Sequence, residues 1–226
     1  IYSIPKLKVH AKIALVIRKK DSKHGDQAYL ATGNFNEKTA RLYGDHGLFT
    51  SNPEVLREVK ELYNHLEDQD LRPDFRHILV PGFNMIPQFI RLIDQEIDHV
   101  KKGGIGYILL KMNGLQDGEM VDHLYRASEA GVKIDLIIRG VCTLKTGQPY
   151  SRNIRVIRIV DRYLEHARIF VFLNNGEHQI YMGSADWMKR NLRRRVECVF
   201  PVYDPDARKE ILDILNIQLS DNVKAC

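Results

Sequence analysis

The sequence is poor in cysteine and has no long apolar run. Only three cysteines occur in 226 residues, at Cys142, Cys198 and Cys226, and their number and spacing argue against a disulfide framework or a zinc site. No stretch of about 18 apolar residues exists, so no transmembrane helix is expected, and no signal peptide is visible. These absences predict a protein of a reducing compartment, the cytoplasm.

The composition is that of a folded protein with a mild preference for anions. Hydrophobic residues make up 44% and charged residues 28% of the chain, which suits one or two domains with a real core. The net charge of +5 favours a polyanionic partner, such as phosphate chains, nucleic acid or an anionic membrane surface, without choosing among them. The chain starts at Ile1 and enters a strand-like segment at once, so we expect a fragment or processed product.

Hydrophobic periodicity predicts two groups of elements, separated by the charged segment Asp68–Arg76. In the first group, strands are predicted over Lys8–Arg18 and Gln27–Thr32, a charged hairpin over Lys19–Asp26, and a helix over Pro53–Leu66. In the second group, strands are predicted over His77–Val80, Gly106–Met112, Lys133–Arg139, Ile154–Ile159, Arg168–Leu173, His178–Met182 and Val196–Val202. Helices are predicted over Met85–Val100, Glu119–Ala130 and Asp206–Leu219. Strand, helix and strand with short connections favour a parallel α/β sheet.

One internal repeat stands above the background of the sequence. The first copy contains the strings Val9-His10-Ala11-Lys12-Ile13 and Leu30-Ala31-Thr32-Gly33-Asn34-Phe35-Asn36. The second contains Glu165-His166-Ala167-Arg168-Ile169 and Tyr181-Met182-Gly183-Ser184-Ala185-Asp186. In each copy a strand and a polar hairpin separate the two strings, and an acid follows at a strand-like position, Asp45 or Glu197.

The repeat brings together the groups that phosphoryl chemistry needs. Side chains two residues apart on a strand share a face, so each His converges with the cation that follows it. The Gly-polar turn is expected to bring backbone N–H groups and Asn or Ser side chains to the same end, as donors for phosphoryl oxygens. Two such units face to face would place two histidines on one phosphate, one attacking and the other protonating or stabilising the leaving oxygen.

The separate parts of this pattern are weak signals. A lone His-x-Lys string is common, and Gly and Asn favour turns in any protein. The specific signal is the same order in both copies. Because Arg168 stands where the first copy has Lys12, the charge is kept but the geometry changes, and the two copies need not play equal roles.

Longer strings carry a resemblance to a known family, and it covers essentially the whole chain. The double His-x-Lys arrangement resembles the phospholipase D superfamily. The longer strings resemble bacterial polyphosphate kinases of the phosphohistidine-forming type; they are Leu7–Lys12, Thr32–Tyr43, Val160–His166 and Ser184–Met188. The resemblance implies a phospholipase-D-like α/β fold of duplicated mixed β-sheet units flanked by helices, with the first unit truncated at its N-terminus. Residues 1–68 would be the C-terminal part of the first domain, and residues 69–226 the second domain.

The resemblance also implies roles for individual residues. It implies that His10 forms the phosphoenzyme, that Tyr43 and Arg139 bind ATP, and that His166 contacts ATP and assists the transfer. Mg²⁺ is the implied cofactor, but its ligands are expected upstream, so no metal ligand is expected in this chain, which we expect to be inactive alone. The expected partners are ATP or ADP, inorganic polyphosphate, a second copy of the full-length enzyme and the inner membrane face as a peripheral surface. No specific nucleic acid is expected.

The expected mechanism is attack by neutral His10 on the γ-phosphorus of ATP, followed by transfer to a terminal polyphosphate oxygen. Lys12, Arg139, Arg168 and Mg²⁺ would stabilise a loose, highly charged transition state. The alternatives are a structural surface cation for Lys12 and a core aromatic for Tyr43. We further hypothesise that Asp45 and Glu197 fix the tautomers of the two histidines in some pairing, against the alternative of strand-edge salt bridges.

A basic run at Arg190, Arg193, Arg194 and Arg195 has two interpretations, a guide for the polyphosphate chain or a solvated face.

Two other functions compete with the kinase. A phospholipase-D-like phosphodiesterase or nuclease would hydrolyse diesters without ATP. However, the superfamily pattern places an acid seven residues after each His, where this chain has Ile17 and Leu173. A non-catalytic polyanion-binding or oligomerisation module would keep its role after His10→Ala.

Overall fold

The computed structural model describes residues 7–19 and 25–225. Its strands are β1 Lys8–Val9, β2 Ile13–Val16, β3 Gln27–Ala31, β4 Tyr43–Gly44, β5 Gly47–Thr50, β6 Tyr107–Met112, β7 Lys133–Ile138, β8 Ile154–Ile157, β9 Leu164–Glu165, β10 Arg168–Phe172, β11 Gln179–Gly183, β12 Arg195–Val196 and β13 Val199–Pro201. Its α-helices are α1 Glu37–Ala40, α2 Pro53–Glu67, α3 Met85–Lys101, α4 Gly118–Glu129, α5 Lys189–Arg193 and α6 Pro205–Ser220. Part of the hairpin predicted at Lys19–Asp26 and all of Cys226 lie outside the described residues. Cys142 and Cys198 are free thiols.

The larger sheet has six strands in the order β13-β11-β10-β6-β7-β8. The predicted strand–helix–strand unit forms the parallel part, because α4 connects β6 to β7 and β8 continues in parallel. The other half is antiparallel, since a tight turn with positive φ at Asn174 and Asn175 returns β10 directly into β11. The sheet is therefore mixed, and the predicted α/β class is confirmed.

A smaller sheet of order β2-β3-β5 repeats half of the larger one. Ile13 pairs with Leu30 in the small sheet as Ile169 pairs with Met182 in the large sheet. Between the two sheets lies a common core, to which both parts of the chain contribute, for example Leu30 and Ile169. A second core packs α3 and α4 on the other face of the large sheet.

The outer faces of the two sheets differ in what covers them. On the large sheet, Phe170 is fully buried and its ring lies 4.7 Å from that of Phe89 in α3. On the small sheet, Phe49 is 79% exposed, and its ring and that of Phe35 lie 4.8 and 5.7 Å from the ring of Tyr29. This contrast makes the first unit the less enclosed of the two.

Two predicted strands are interrupted. The strand predicted over Lys8–Arg18 is broken between Val9 and Ile13, and its end is exposed rather than buried. The strand predicted over Val196–Val202 divides at Glu197 into β12 and β13. At each break, the strand before it pairs with the other half of the repeat, and the strand after it pairs within its own half.

The strand predicted at His77–Val80 is absent, apart from a single bridge between Leu79 and Val199. Its backbone has another partner. The buried Glu58 carboxylate of α2 accepts the N–H groups of Arg76, His77 and Ile78, each at 2.9 Å. Backbone N–H groups that donate to this carboxylate cannot also donate to a neighbouring strand, so the segment does not join the sheet.

Candidate active site

His10 is fixed by the element that carries Glu197. It follows β1, which runs parallel to β12. The N–H groups of His10 and Ala11 both donate to the Val196 carbonyl, at 2.8 and 3.0 Å. The next residue is Glu197, which is fully buried, and its Oε2 lies 2.7 Å from His10 Nδ1. Backbone and imidazole of His10 are thus held by the other half of the repeat.

His166 is fixed in the same way by the element that carries Asp45. It follows β9, which runs parallel to β4. The N–H groups of His166 and Ala167 both donate to the Gly44 carbonyl, at 3.2 and 3.0 Å. His166 Nδ1 then lies 2.9 Å from the Asp45 carboxylate. The hypothesis that these acids serve the two histidines is confirmed in its geometry, and the pairing is crossed between the two copies.

A hydroxyl residue supports each acid, and sequence reasoning missed it. Thr32 donates to Asp45 at 2.7 Å and accepts from the His46 N–H at 3.0 Å. Ser184 likewise donates to Glu197 and accepts from the Cys198 N–H at 3.1 Å. Hydroxyl and acid are 13 residues apart in both copies, and this common spacing is the signal that could have identified them.

We expected the Gly-polar turns of the two copies, at Gly33 and at Gly183, to be equivalent. The position of the hydroxyl residues shows that they are not. Thr32, not Asn34, is the counterpart of Ser184. Gly33 is needed because the Asp45 carboxyl would lie 2.6 Å from a Cβ there. The expected donors of this turn are not in the site: Asn34 is exposed, and Asn36 caps α1 by accepting the Thr39 N–H at 3.0 Å.

The carboxylates determine which ring nitrogens are free. A carboxylate only accepts hydrogen bonds, so Nδ1 of each imidazole carries the proton and Nε2 is left with its lone pair. Burial lowers the pKa of His166, and the nearby Arg168 and Lys12 charges lower it further against the raising effect of Asp45. Burial alone would raise the pKa of Asp45, but its bonds from His166 and Thr32 bring that pKa below its usual value.

Lys12 and Arg168 are both buried, but they differ in whether a carboxylate neutralises their charge. Lys12 donates to the His10 carbonyl at 2.6 Å, and burial lowers its pKa to about 7. Arg168 is paired with the Asp186 carboxylate at 3.2 Å, and its Nη1 lies 3.0 Å from Nε2 of His166. No ion pair joins Lys12 to a carboxylate within the described residues, so its charge is the less neutralised of the two. Arg168 thus meets the His166 ring as expected, whereas Lys12 meets His10 at its backbone carbonyl.

Asn113 connects these groups to Arg139. Its side-chain oxygen accepts from Arg139 Nε at 2.9 Å and from Nη2 at 2.6 Å. Its side-chain nitrogen donates to the His166 carbonyl at 3.1 Å, and its backbone N–H donates to Asp186 at 2.7 Å. Asn113 therefore sets the distance between the Arg139 guanidinium and His166. Neither Asn113 nor Asp186 carries a role that sequence reasoning assigned.

Tyr43 lies beside the same histidine. Its ring centroid is 4.9 Å from that of His166, at an angle of 50°, and it is only half-buried. Tyr43 is therefore not a core aromatic. Behind it, Lys111 bonds to Glu165 and, at 3.0 Å, to Gln218, which ties the His166 segment to α6.

Comparisons with known proteins agree with the geometry. Residues 1–72 match the family model described as Polyphosphate kinase C-terminal domain 1, and residues 78–226 match Polyphosphate kinase C-terminal domain 2. The chain is 46% identical to a polyphosphate kinase of Bacillus anthracis over 225 residues, which is 99% of this chain and 32% of that protein. It is 46% identical to one of Synechocystis sp. over 226 residues, 100% of this chain and 31% of that protein.

A solved structure also matches. The crystal structure of polyphosphate kinase from Porphyromonas gingivalis superposes with a TM-score of 0.93 and 53% identity over 100% of this chain and 35% of that one. Nuc from Salmonella typhimurium, a phospholipase D family member, aligns with a TM-score of only 0.44, too low to carry an argument. The chain spans about a third of the length of the curated relatives it matches. Among the described residues, no helix is long and apolar enough to cross a membrane.

Proposed function

The chain belongs to the polyphosphate kinase family, and from this premise we propose that the full-length protein reversibly transfers the γ-phosphoryl group of ATP to inorganic polyphosphate through a phosphohistidine at His10. One observation carries the proposal. Both imidazoles are held through Nδ1 by carboxylates, of which Glu197 is fully and Asp45 partly buried, and this leaves Nε2 of each without a proton. This is the state in which an imidazole attacks phosphorus.

In the first step, the Nε2 lone pair of His10 forms a bond to the γ-phosphorus, and the bond from that phosphorus to the bridging oxygen of ADP breaks. Glu197 keeps the Nδ1 proton in place while the ring gains positive charge. In the second step, a terminal oxygen of polyphosphate attacks the same phosphorus, and the P–N bond breaks. His10 returns to its neutral form with the same proton on Nδ1.

The second histidine supports the transfer mainly by position and charge. With its proton on Nδ1 and its pKa lowered by burial, His166 is a poor proton donor at Nε2. The Arg168 guanidinium beside that nitrogen supplies N–H groups instead. Lys12, Arg139 and Arg168 are the cations that would hold the phosphoryl oxygens, and Tyr43 would contact the base of ATP. That both imidazoles share one phosphorus atom stays a prediction.

Mg²⁺ does not fit the three acids of the described site. Asp45, Asp186 and Glu197 are each bonded to a histidine or an arginine. Within residues 7–19 and 25–225, no group of three His, Cys, Asp or Glu side chains is placed to hold a metal ion. The ligands of the implied Mg²⁺ are accordingly proposed to lie in another part of the full-length protein.

The test is ATP-dependent phosphorylation of the full-length protein and of its His10→Gln variant with γ-labelled ATP. We expect acid-labile, base-stable label on the wild type, chased into polyphosphate, and none on the variant. Label that persists in His10→Gln would overturn the assignment of the nucleophile. Diester hydrolysis without ATP would favour the phosphodiesterase alternative.

Four further points remain proposals that rest on the family resemblance. They are the domain division between residues 68 and 69, a homo-oligomeric full-length enzyme, a cytoplasmic location and peripheral membrane association.

A further inference from the structure

The basic run of Arg190, Arg193, Arg194 and Arg195 is divided by the fold. Arg193 is already paired, with its Nη2 at 2.6 Å from Glu119 and 3.6 Å from Asp117. The Nη2 of Arg190 contacts the Met188 sulfur at 3.6 Å. Arg193, Arg194 and Arg195 line a depression of about 200 Å³, and of these three only Arg194 and Arg195 have no ion pair with a carboxylate among the described residues.

A second segment adds positive charge to this depression. Arg72, from the connection between α2 and α3, lines it together with the Pro81-Gly82-Phe83 turn. The Arg72 guanidinium lies 5.9 Å from the centre of the Phe83 ring, a cation–π contact that orients it. Across β12, Lys8 pairs with Arg195 in register. The sequence placed Arg72 more than a hundred residues from the basic run, so only the fold brings these cations together.

Three of the positive charges of this depression are not compensated by carboxylates. No Asp or Glu is among its lining residues. No ion pair joins Arg72, Arg194 or Arg195 to a carboxylate within the described ranges 7–19 and 25–225. Three guanidinium groups beside one another repel unless an anion lies among them, and guanidinium forks match phosphate oxygens.

The depression adjoins the catalytic segment. Val196 lines it, and the carbonyl of Val196 holds the N–H groups of His10 and Ala11. The Lys8–Arg195 pair at its edge lies two extended residues from His10, or about 7 Å. A single phosphate at His10 cannot reach the depression, whereas a chain of phosphates can span both.

We propose that Arg72, Arg194 and Arg195 form a subsite for the body of the polyphosphate chain whose end reacts at His10. The ligand is recognised as a run of phosphate oxyanions. The proposal rests on the proposed function and adds to it the site at which the enzyme distinguishes long from short polyphosphate. Long polyphosphate occupies the subsite, and a chain too short to span the distance does not.

The experiment uses the full-length enzyme and measures KM for long-chain polyphosphate, for tripolyphosphate and for ATP. The variants are Arg194→Ala and the double variant Arg72→Ala/Arg194→Ala. The matched control is Lys189→Ala, which removes one exposed cation from the same short helix outside the depression. All of these side chains are exposed, and thermal unfolding checks that the variants fold.

We expect the double variant to raise KM for long-chain polyphosphate roughly 10-fold at low salt, with kcat and the ATP KM unchanged. The effect should shrink at high salt and be absent for tripolyphosphate and for Lys189→Ala. Equal behaviour of Arg194→Ala and Lys189→Ala would overturn the subsite. A parallel rise in the ATP KM would also overturn it, since the depression would then serve the nucleotide. A wild-type enzyme without ATP–polyphosphate transfer would instead refute the proposed function.

Discussion

The acid behind each histidine decides which nitrogen can react. Glu197 accepts from three donors, namely His10, Ser184 and Asn191, and both of its oxygens are used. In a glutamine at this position, the amide NH₂ group would replace one of the two oxygens. It would then point an N–H toward one of these donors. At the scale of the residue, the carboxylate is therefore not exchangeable for its amide.

Glu197→Gln should lower the rate of phosphoenzyme formation by roughly 10³- to 10⁴-fold, because the amide no longer fixes the tautomer or stabilises the charged ring. The measurement is a rapid-quench time course with labelled ATP on the full-length enzyme. Asp45→Asn, which acts on His166, is the comparison and should cost less. An unchanged rate in Glu197→Gln would remove Glu197 from the mechanism.

Lys12 should give the reaction its dependence on pH. Burial lowers the pKa of Lys12 to about 7, so its charge is present below that pH and is lost as the pH rises through it. The kcat/KM of the wild type should therefore fall above about pH 7, since this parameter reports the free enzyme. In Lys12→Arg, the guanidinium stays charged and this limb should disappear from the profile. A profile of the same shape in both proteins would exclude Lys12 as its source.

At the scale of the element, Glu58 shows how a side chain can replace a strand. Its carboxylate receives three consecutive backbone N–H groups and leaves only Leu79 to bridge to β13. The segment that joins the two parts of the chain is thus fastened to α2 rather than added to the large sheet.

Glu58→Gln should destabilise the chain by about 3 kcal/mol, because an amide N–H would oppose the backbone N–H groups that now donate to the carboxylate, of which that of Ile78 is buried. Urea unfolding followed by circular dichroism measures this loss. Glu67→Gln, an exposed change at the end of the same helix, should cost less than about 0.5 kcal/mol. A similar cost for both variants would show that Glu58 does not hold the segment.

At the scale of the whole molecule, the site belongs to neither half of the repeat. Each half supplies the histidine of one pair and the acid of the other, and the core between the sheets takes side chains from both. The outer face of the small sheet leaves Phe49 exposed, whereas α3 packs on the corresponding face of the large sheet.

We expect this chain alone to form no polyphosphate from ATP under conditions in which the full-length protein does so. Among its described residues it has no group suited to Mg²⁺, and it spans about a third of its relatives. The assay is polyphosphate synthesis by both proteins at equal molar concentration, with circular dichroism to show that the chain is folded. Synthesis by the chain at the rate of the full-length protein would show that the site needs nothing else.

Local patterns explain most of what the sequence predicted. The bounds of α3, α4 and α6 and of strands such as β6 and β7 agree closely with the periodicity, because burying one face of an element imposes a repeat on its own residues. The duplicated order of His, cation, turn and acid predicted that the two acids serve the two histidines, but not which acid serves which histidine, since two copies of one unit keep the same order of residues.

The sequence by itself determined most of the elements, the duplication and the residue types of the site. Only the tertiary structure decided that Glu197 serves His10 and Asp45 serves His166, across 187 and 121 residues of chain. It also decided that Asn113 bridges Arg139 and His166, and that Arg72 joins Arg194. These contacts depend on how the two sheets pack against each other. The periodicity of a segment reflects only its own buried face, so it does not indicate which distant strands come into contact.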